Sequence, residues 1–298
     1  MRILAFLGVL LFAAFPAAAQ TKEFSWHDKW ITPFLASQMD PRFSYMLYVP
    51  KDYDENGTKT YPLVVLVHGT ERWPHHYIQH NRAFAEENGV ILMAPLFPLN
   101  THGNQDLETY KLIDYKGTRY DLVLLSMVDE VASKYRLRDN KFYMHGFSGG
   151  GHFTHRFFYL HPHRLHAISI GAPGMITLID NTSDWWVGTK NLYARFNAKL
   201  NLNAMRNVKV HMVAGAKDLD EWNEPIERDS AYWMGENVKG ADYGSTGKNR
   251  VERLATLKKN FEANGIKVQM ELVPNAEHDE TQLFPTVQKF LKSALSQE

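Results

Sequence analysis

The chain has 298 residues, with 33 Lys plus Arg against 33 Asp plus Glu, and no cysteine. That length can bury the core of one large α/β domain or two small ones. Balanced charge supplies no global field to hold nucleic acid or an anionic membrane surface, which argues against a nucleic-acid partner, and the lack of Cys excludes disulfides and a lipoprotein anchor.

Arg2 is followed by an apolar run from Ile3 to Phe15 and then by Pro16-Ala17-Ala18-Ala19-Gln20. A basic start, a short apolar core and a small-x-small site predict a secretory signal peptide over residues 1–19, cut after Ala19. The run is too short for a comfortable span and no later stretch is long enough, so no stable membrane anchor is expected. Export without disulfides points to a secreted or periplasmic bacterial protein stabilised by core size.

After a polar, Trp-containing lead (Phe24 to Trp30), Ser44 to Pro50 reads as a strand closed by the turn cluster Asp52 to Gly57. Pro62 to His68 is a continuous Val/Leu run, the pattern of a strand buried on both faces of a parallel sheet, and it ends in His68-Gly69-Thr70. Ile78 to Glu87 reads as helix, Gly89 to Ala94 as strand, and Pro95 to Thr118 as a long polar and aromatic loop. Tyr120 to Tyr135 places Leu124, Val128, Val131 and Tyr135 on one helix face. Lys141 to His145 is a short strand, followed by a glycine turn and a helix from His152 to Leu160. Strands Ala167 to Gly171 and Val208 to Gly215, helix Val251 to Asn264, strand Lys267 to Val273 and helix Glu280 to Leu295 complete the alternation. Two irregular insertions interrupt it, at about 173–206 and 219–248. No repeat or linker divides residues 20–298, so one α/β domain with a mostly parallel sheet, covered by helices on both faces, is expected.

The turn Gly146-Phe147-Ser148-Gly149-Gly150 joins a strand to a helix, which is the setting of a nucleophile elbow. By itself the motif also fits a helix-capping serine or a phosphate cradle. Two later loops discriminate. One strand runs into Gly215-Ala216-Lys217-Asp218 and another into Pro274-Asn275-Ala276-Glu277-His278, so a carboxylate and an imidazole both follow strand ends. Active sites of open parallel sheets gather at that edge, and the order Ser148, Asp218, His278 suits a nucleophile, an orienting acid and a base. Asp220 is a rival acid, but Asp218 stands closer to its strand; Glu277 and Asp279 read as exposed loop charges. The oxyanion needs two donors: the Gly149 N–H, at a helix N-terminus, and the Thr70 N–H, in the turn after His68-Gly69.

Tyr45-x-Leu-Tyr-Val-Pro50, Pro62-Leu-Val-Val-Leu-Val-His-Gly69, the elbow, Gly215-x-x-Asp218 and His278 together resemble the α/β-hydrolase superfamily over residues 44 to 295. The opening strands are similar to the branch of polyhydroxybutyrate depolymerase-like proteins and acetylxylan or feruloyl esterases. That resemblance implies an α/β-hydrolase fold and a serine esterase using no cofactor, acting on a small-molecule or carbohydrate-linked ester. Phe147 departs from the polar residue frequent before the serine and is a candidate substrate contact, and the disulfides of secreted members are impossible here. The family builds its pockets from insertions, which directs attention to Trp185 and Trp186 in the first, Trp222 and Tyr232-Trp233-Met234 in the second, and Trp73 with its neighbours Glu71 and Arg72 beside the oxyanion turn. These rings either line a pocket or pin the insertions to the body. His152 and His155 share a helix face and read as helix-surface histidines; no Cys or ordered carboxylate accompanies them, so no metal site is expected. A serine peptidase of prolyl-oligopeptidase-like type and a non-catalytic binding protein on the same scaffold are the alternative readings.

Overall fold

A computed structural model describes residues 24–103, 107–221 and 246–296. The expected signal peptide, Trp222 and Tyr232-Trp233-Met234 lie outside the described residues.

The strands are β1 (Trp30–Ile31), β2 (Leu35–Ala36), β3 (Ser44–Val49), β4 (Leu63–Val67), β5 (Ile91–Leu96), β6 (Asp114–Tyr115), β7 (Thr118–Arg119), β8 (Phe142–Phe147), β9 (Leu165–Gly171), β10 (Lys209–Gly215) and β11 (Val268–Val273). The helices are α1 (Pro74–Asn88), α2 (Tyr120–Lys134), α3 (Gly149–Leu160), α4 (Leu192–Phe196), α5 (Leu202–Arg206), α6 (Arg250–Ala263) and α7 (Glu280–Leu295). One nine-stranded sheet has the order β1-β3-β5-β4-β8-β9-β10-β11, with β2 also paired to β3. β3 is antiparallel to β5, whereas β5, β4, β8, β9, β10 and β11 run parallel. The α/β expectation with a mostly parallel sheet therefore holds.

The central position of β4 explains its composition. Every residue from Leu63 to Val67 is buried, because β5 and β8 flank the strand and helices cover both faces. α1 and α7 pack on one another, and Tyr77 of α1 meets Phe284 of α7 at 5.5 Å between ring centroids. On the other face Phe158 of α3 meets Phe261 of α6 at 5.8 Å, and His161, just past α3, reaches Asp121 of α2 at 2.7 Å. α7 shows why its sequence is helical: Leu283, Phe284, Val287, Phe290, Leu291 and Ala294 form a buried stripe, and Asp279 caps the first turn by accepting from the Thr281 N–H. Asp279, expected as a loop charge, is thus a helix cap.

Two further expectations need correction. The segment from Pro95 to Thr118 is no simple polar loop: Tyr110, Lys111, Leu112 and Ile113 are buried, and the β6–β7 ribbon follows them. His152 and His155 are not on a helix surface. Both are buried, and their Nε2 atoms accept from the N–H groups of Met175 (2.9 Å) and Thr177 (3.0 Å), tying the start of the first insertion to α3. The lead Phe24 to Trp30 runs into β1, and β1 and β2 both pair with β3; the sequence does not mark them because each has only two residues and no periodic signal.

Candidate active site

β4, β8, β10 and β11 all end at the same edge of the sheet, and a polar side chain follows each end. The turn after β8 is sharp. Ser148 has φ 53° and ψ −113°, a conformation L-residues avoid, and its N–H donates to the Gly171 carbonyl at 2.9 Å. Gly150 is required by close approach: a Cβ there would overlap the Val67 carbonyl oxygen and lie 2.8 Å from that of His68.

The acid and histidine turns are built as one unit. Ala216 N–H donates to the Val273 carbonyl at 2.9 Å and Lys217 N–H to the Ala276 carbonyl at 2.8 Å. A Cβ on Gly215 would overlap the carbonyl oxygens of Ala276 and Glu277, so glycine lets the two turns close on each other. Asn275 takes the left-handed conformation (φ 62°), which asparagine tolerates better than most residues, and turns the chain toward His278.

The result is a continuous line. His278 Nε2 lies 3.0 Å from Ser148 Oγ, and His278 Nδ1 lies 2.6 Å from Asp218 Oδ2. Asp218 is 2 % exposed and takes a second partner, Arg250 Nη1, at 3.0 Å from Oδ1. Burial alone would raise the Asp218 carboxyl, but the hydrogen bond and charge of His278, together with Arg250, outweigh it and hold the carboxyl below its ordinary range. Asp220 is exposed, with no contact to the imidazole. Arg250 was missed from sequence: it opens α6, 32 residues beyond Asp218, and nothing local marks it as a partner. Phe147, expected at substrate, is 1 % exposed, and its ring packs behind the imidazole, 4.6 Å from that of His278.

Thr70 and Gly149 also meet. Thr70 Oγ1 would be 3.2 Å from a Cβ on Gly149, and Gly149 begins α3, where the first N–H groups have no intrahelical acceptor. Lys111 packs beside them, its Cε 2.8 Å from the same point; burial lowers its ammonium, while Glu108, 2.9 Å away, opposes that.

The aromatic expectations divide. Trp73 is 55 % exposed, three residues past Thr70. Trp185 and Trp186 are each 2 % exposed, which favours pinning of the insertion over lining of a pocket. Trp185 donates its indole N–H to the Leu112 carbonyl at 3.1 Å and packs edge-on against Phe196, while Trp186 lies under the Arg156 guanidinium. They pin the first insertion to the body. Arg72 also turns inward, its Nε donating to the Phe97 carbonyl at 2.8 Å.

No family model matches the chain, and neither does any curated protein. Solved structures do. A poly(aspartic acid) hydrolase-1 from Sphingomonas sp. KT-1 is 18 % identical, with a TM-score of 0.64 over 83 % of this chain and 92 % of that one. A poly(3-hydroxybutyrate) depolymerase from Bordetella parapertussis is 20 % identical, with a TM-score of 0.62 over 84 % and 82 %. A ferulic acid esterase is 14 % identical, with a TM-score of 0.59 over 89 % and 96 %. Strand order, the elbow between β8 and α3, and these similarities agree: the chain has the α/β-hydrolase fold.

Proposed function

We propose that the chain is an exported serine hydrolase that cleaves carboxylic ester bonds through an acyl-enzyme on Ser148. The observation that carries this reading is the hydrogen-bonded line from Ser148 through His278 to Asp218 at the C-terminal edge of the sheet. His278 Nε2 takes the Ser148 proton as Oγ attacks the ester carbonyl, then returns it to the leaving alcohol; the same base next draws a proton from water to release the acid. Asp218 keeps Nδ1 protonated and stabilises the imidazolium. The N–H groups of Thr70 and Gly149 receive the charge that develops on the carbonyl oxygen.

The names of two structural neighbours, a poly(3-hydroxybutyrate) depolymerase and a ferulic acid esterase, favour an ester substrate. Another is named for hydrolysing poly(aspartic acid), a polyamide, which keeps amide cleavage as the second reading. Export is supported by Arg2, the apolar run and Ala17-Ala18-Ala19, and no helix among the described residues is long and apolar enough to cross a membrane. The test compares wild type with Ser148→Ala on short and long acyl esters, feruloylated sugars and peptide amides, together with fluorophosphonate labelling. Ester turnover and labelling are expected only in wild type. A wild-type protein that is unlabelled and inert on every ester would refute the proposal.

A further inference from the structure

The turn His68-Gly69-Thr70 leaves β4 with its polar groups occupied from the protein side. Gly69 N–H donates to Tyr77 Oη at 3.2 Å. The Gly69 carbonyl accepts from Tyr110 Oη at 2.9 Å and from the Arg72 N–H at 3.2 Å, and His68 Nδ1 lies 2.7 Å from it. Tyr110 Oη also reaches the His68 carbonyl at 3.1 Å. The next carbonyl, that of Thr70, accepts from Arg72 Nη1 at 2.8 Å. The remaining Arg72 donors serve the carbonyls of Phe97 (2.8 Å) and Leu107 (2.9 Å), and the guanidinium lies over the Tyr110 ring, 5.2 Å from its centroid. Among the described residues, nothing accepts from the Thr70 N–H.

A trans peptide is planar, with its C=O and N–H pointing in opposite directions. The Gly69 carbonyl and the Thr70 N–H belong to one such plane, so whatever holds the carbonyl also aims the N–H. Glycine before that bond makes the plane easy to rotate unless something holds it. Tyr110 holds it directly, and Arg72 fixes the peptide that follows. Tyr110 Oη also lies against Gly149: a Cβ on that glycine would overlap it. One hydroxyl thereby sets both oxyanion donors against each other. Burial raises the Tyr110 phenol far above its ordinary range, so it remains a protonated donor throughout the working pH range.

We propose that Tyr110 and Arg72 are positioning residues for oxyanion stabilisation, aiming the Thr70 N–H at the point that the Gly149 N–H also faces. The inference rests on the serine-hydrolase reading and adds a device to it: the segment between β5 and α2 becomes a template for the oxyanion turn. Donors held in place before the reaction act on the transition state more than on bound substrate, so their loss falls on kcat.

The test uses the full chain with Tyr110→Phe and Arg72→Lys, measuring kcat and KM on p-nitrophenyl acetate and inhibition by phenylboronic acid. Ser148 Oγ adds to boron, its proton passes to His278, and a boronate oxygen takes the oxyanion position. Both variants are expected to lose roughly 10- to 100-fold in kcat with little change in KM. Affinity for the boronic acid should fall in parallel, while the shape of the pH–rate profile is kept. Wild-type kcat and boronic acid affinity in the variants would overturn the inference, as would a rise in KM alone. Tyr110→Phe removes one oxygen atom and decides the matter by itself if Arg72→Lys does not fold. Wild-type turnover with unaffected variants sinks only this inference; a wild type without ester turnover or fluorophosphonate uptake sinks the hydrolase reading beneath it.

Discussion

At the scale of single residues, Asp218 answers two opposed demands. A carboxylate 2 % exposed is costly to keep ionised, yet the proposed chemistry needs it charged to orient His278. Arg250 and His278 meet that cost from either side, and the carboxyl is held down as a result. Asp218→Asn keeps the shape but offers His278 an amide, so kcat should fall by about 10⁴ with the fold intact. Asp220→Asn, at an exposed position, should be close to wild type. Steady-state kinetics and circular dichroism on both variants check this, and equal losses would remove Asp218 from its role. The distinction between these two acids was legible in the chain, because only Asp218 directly follows the Gly215 turn. Arg250 was not, since its pairing depends on where α6 begins relative to β10.

At the scale of elements, the elbow and α3 act together. All of α3 is buried, including Arg156, and its glycines let it start directly against β4. The sequence suggested a start at His152, three residues late, because consecutive glycines read as loop when their close packing is unseen. Gly150→Ala would drive a methyl into the Val67 carbonyl, where only backbone is available to move. It should cost about 3 kcal/mol of stability or prevent folding, read from urea or guanidinium midpoints. A midpoint matching wild type would show that β4 and α3 can separate. The insertion tryptophans were ambiguous for a related reason: an aromatic pair looks alike whether it faces a pocket or the body, and burial decides only in three dimensions. Strand positions in the parallel sheet were legible to within a few residues, from continuous apolar runs such as Leu63 to Val67 at the centre and from alternation in β11 at the edge.

At the scale of the whole molecule, several buried histidines stay neutral. Burial pushes His68, His145 and His155 down to about 3 and His211 to about 4, and His152 well below its ordinary value. Each binds its proton less well folded than unfolded. Their contribution is therefore intact above about pH 6.5, and below it each loses up to about 1.4 kcal/mol per pH unit until its folded pKa is reached. Guanidinium midpoints should fall steeply between pH 7.5 and 5; equal midpoints would show that these rings gain protons without unfolding. The sheet order has one more consequence. The serine follows β8 in the middle of the sheet, whereas His278 follows β11, which is both an edge strand and the last in chain order among the described residues. A nascent chain that ends after α3 thus holds the Ser148 turn but not the proposed base. On the proposed mechanism, turnover therefore needs β11 in place, and α7, which follows His278 and lays its buried stripe on the sheet, belongs to the same last stretch of chain, so the base and part of the core are completed together.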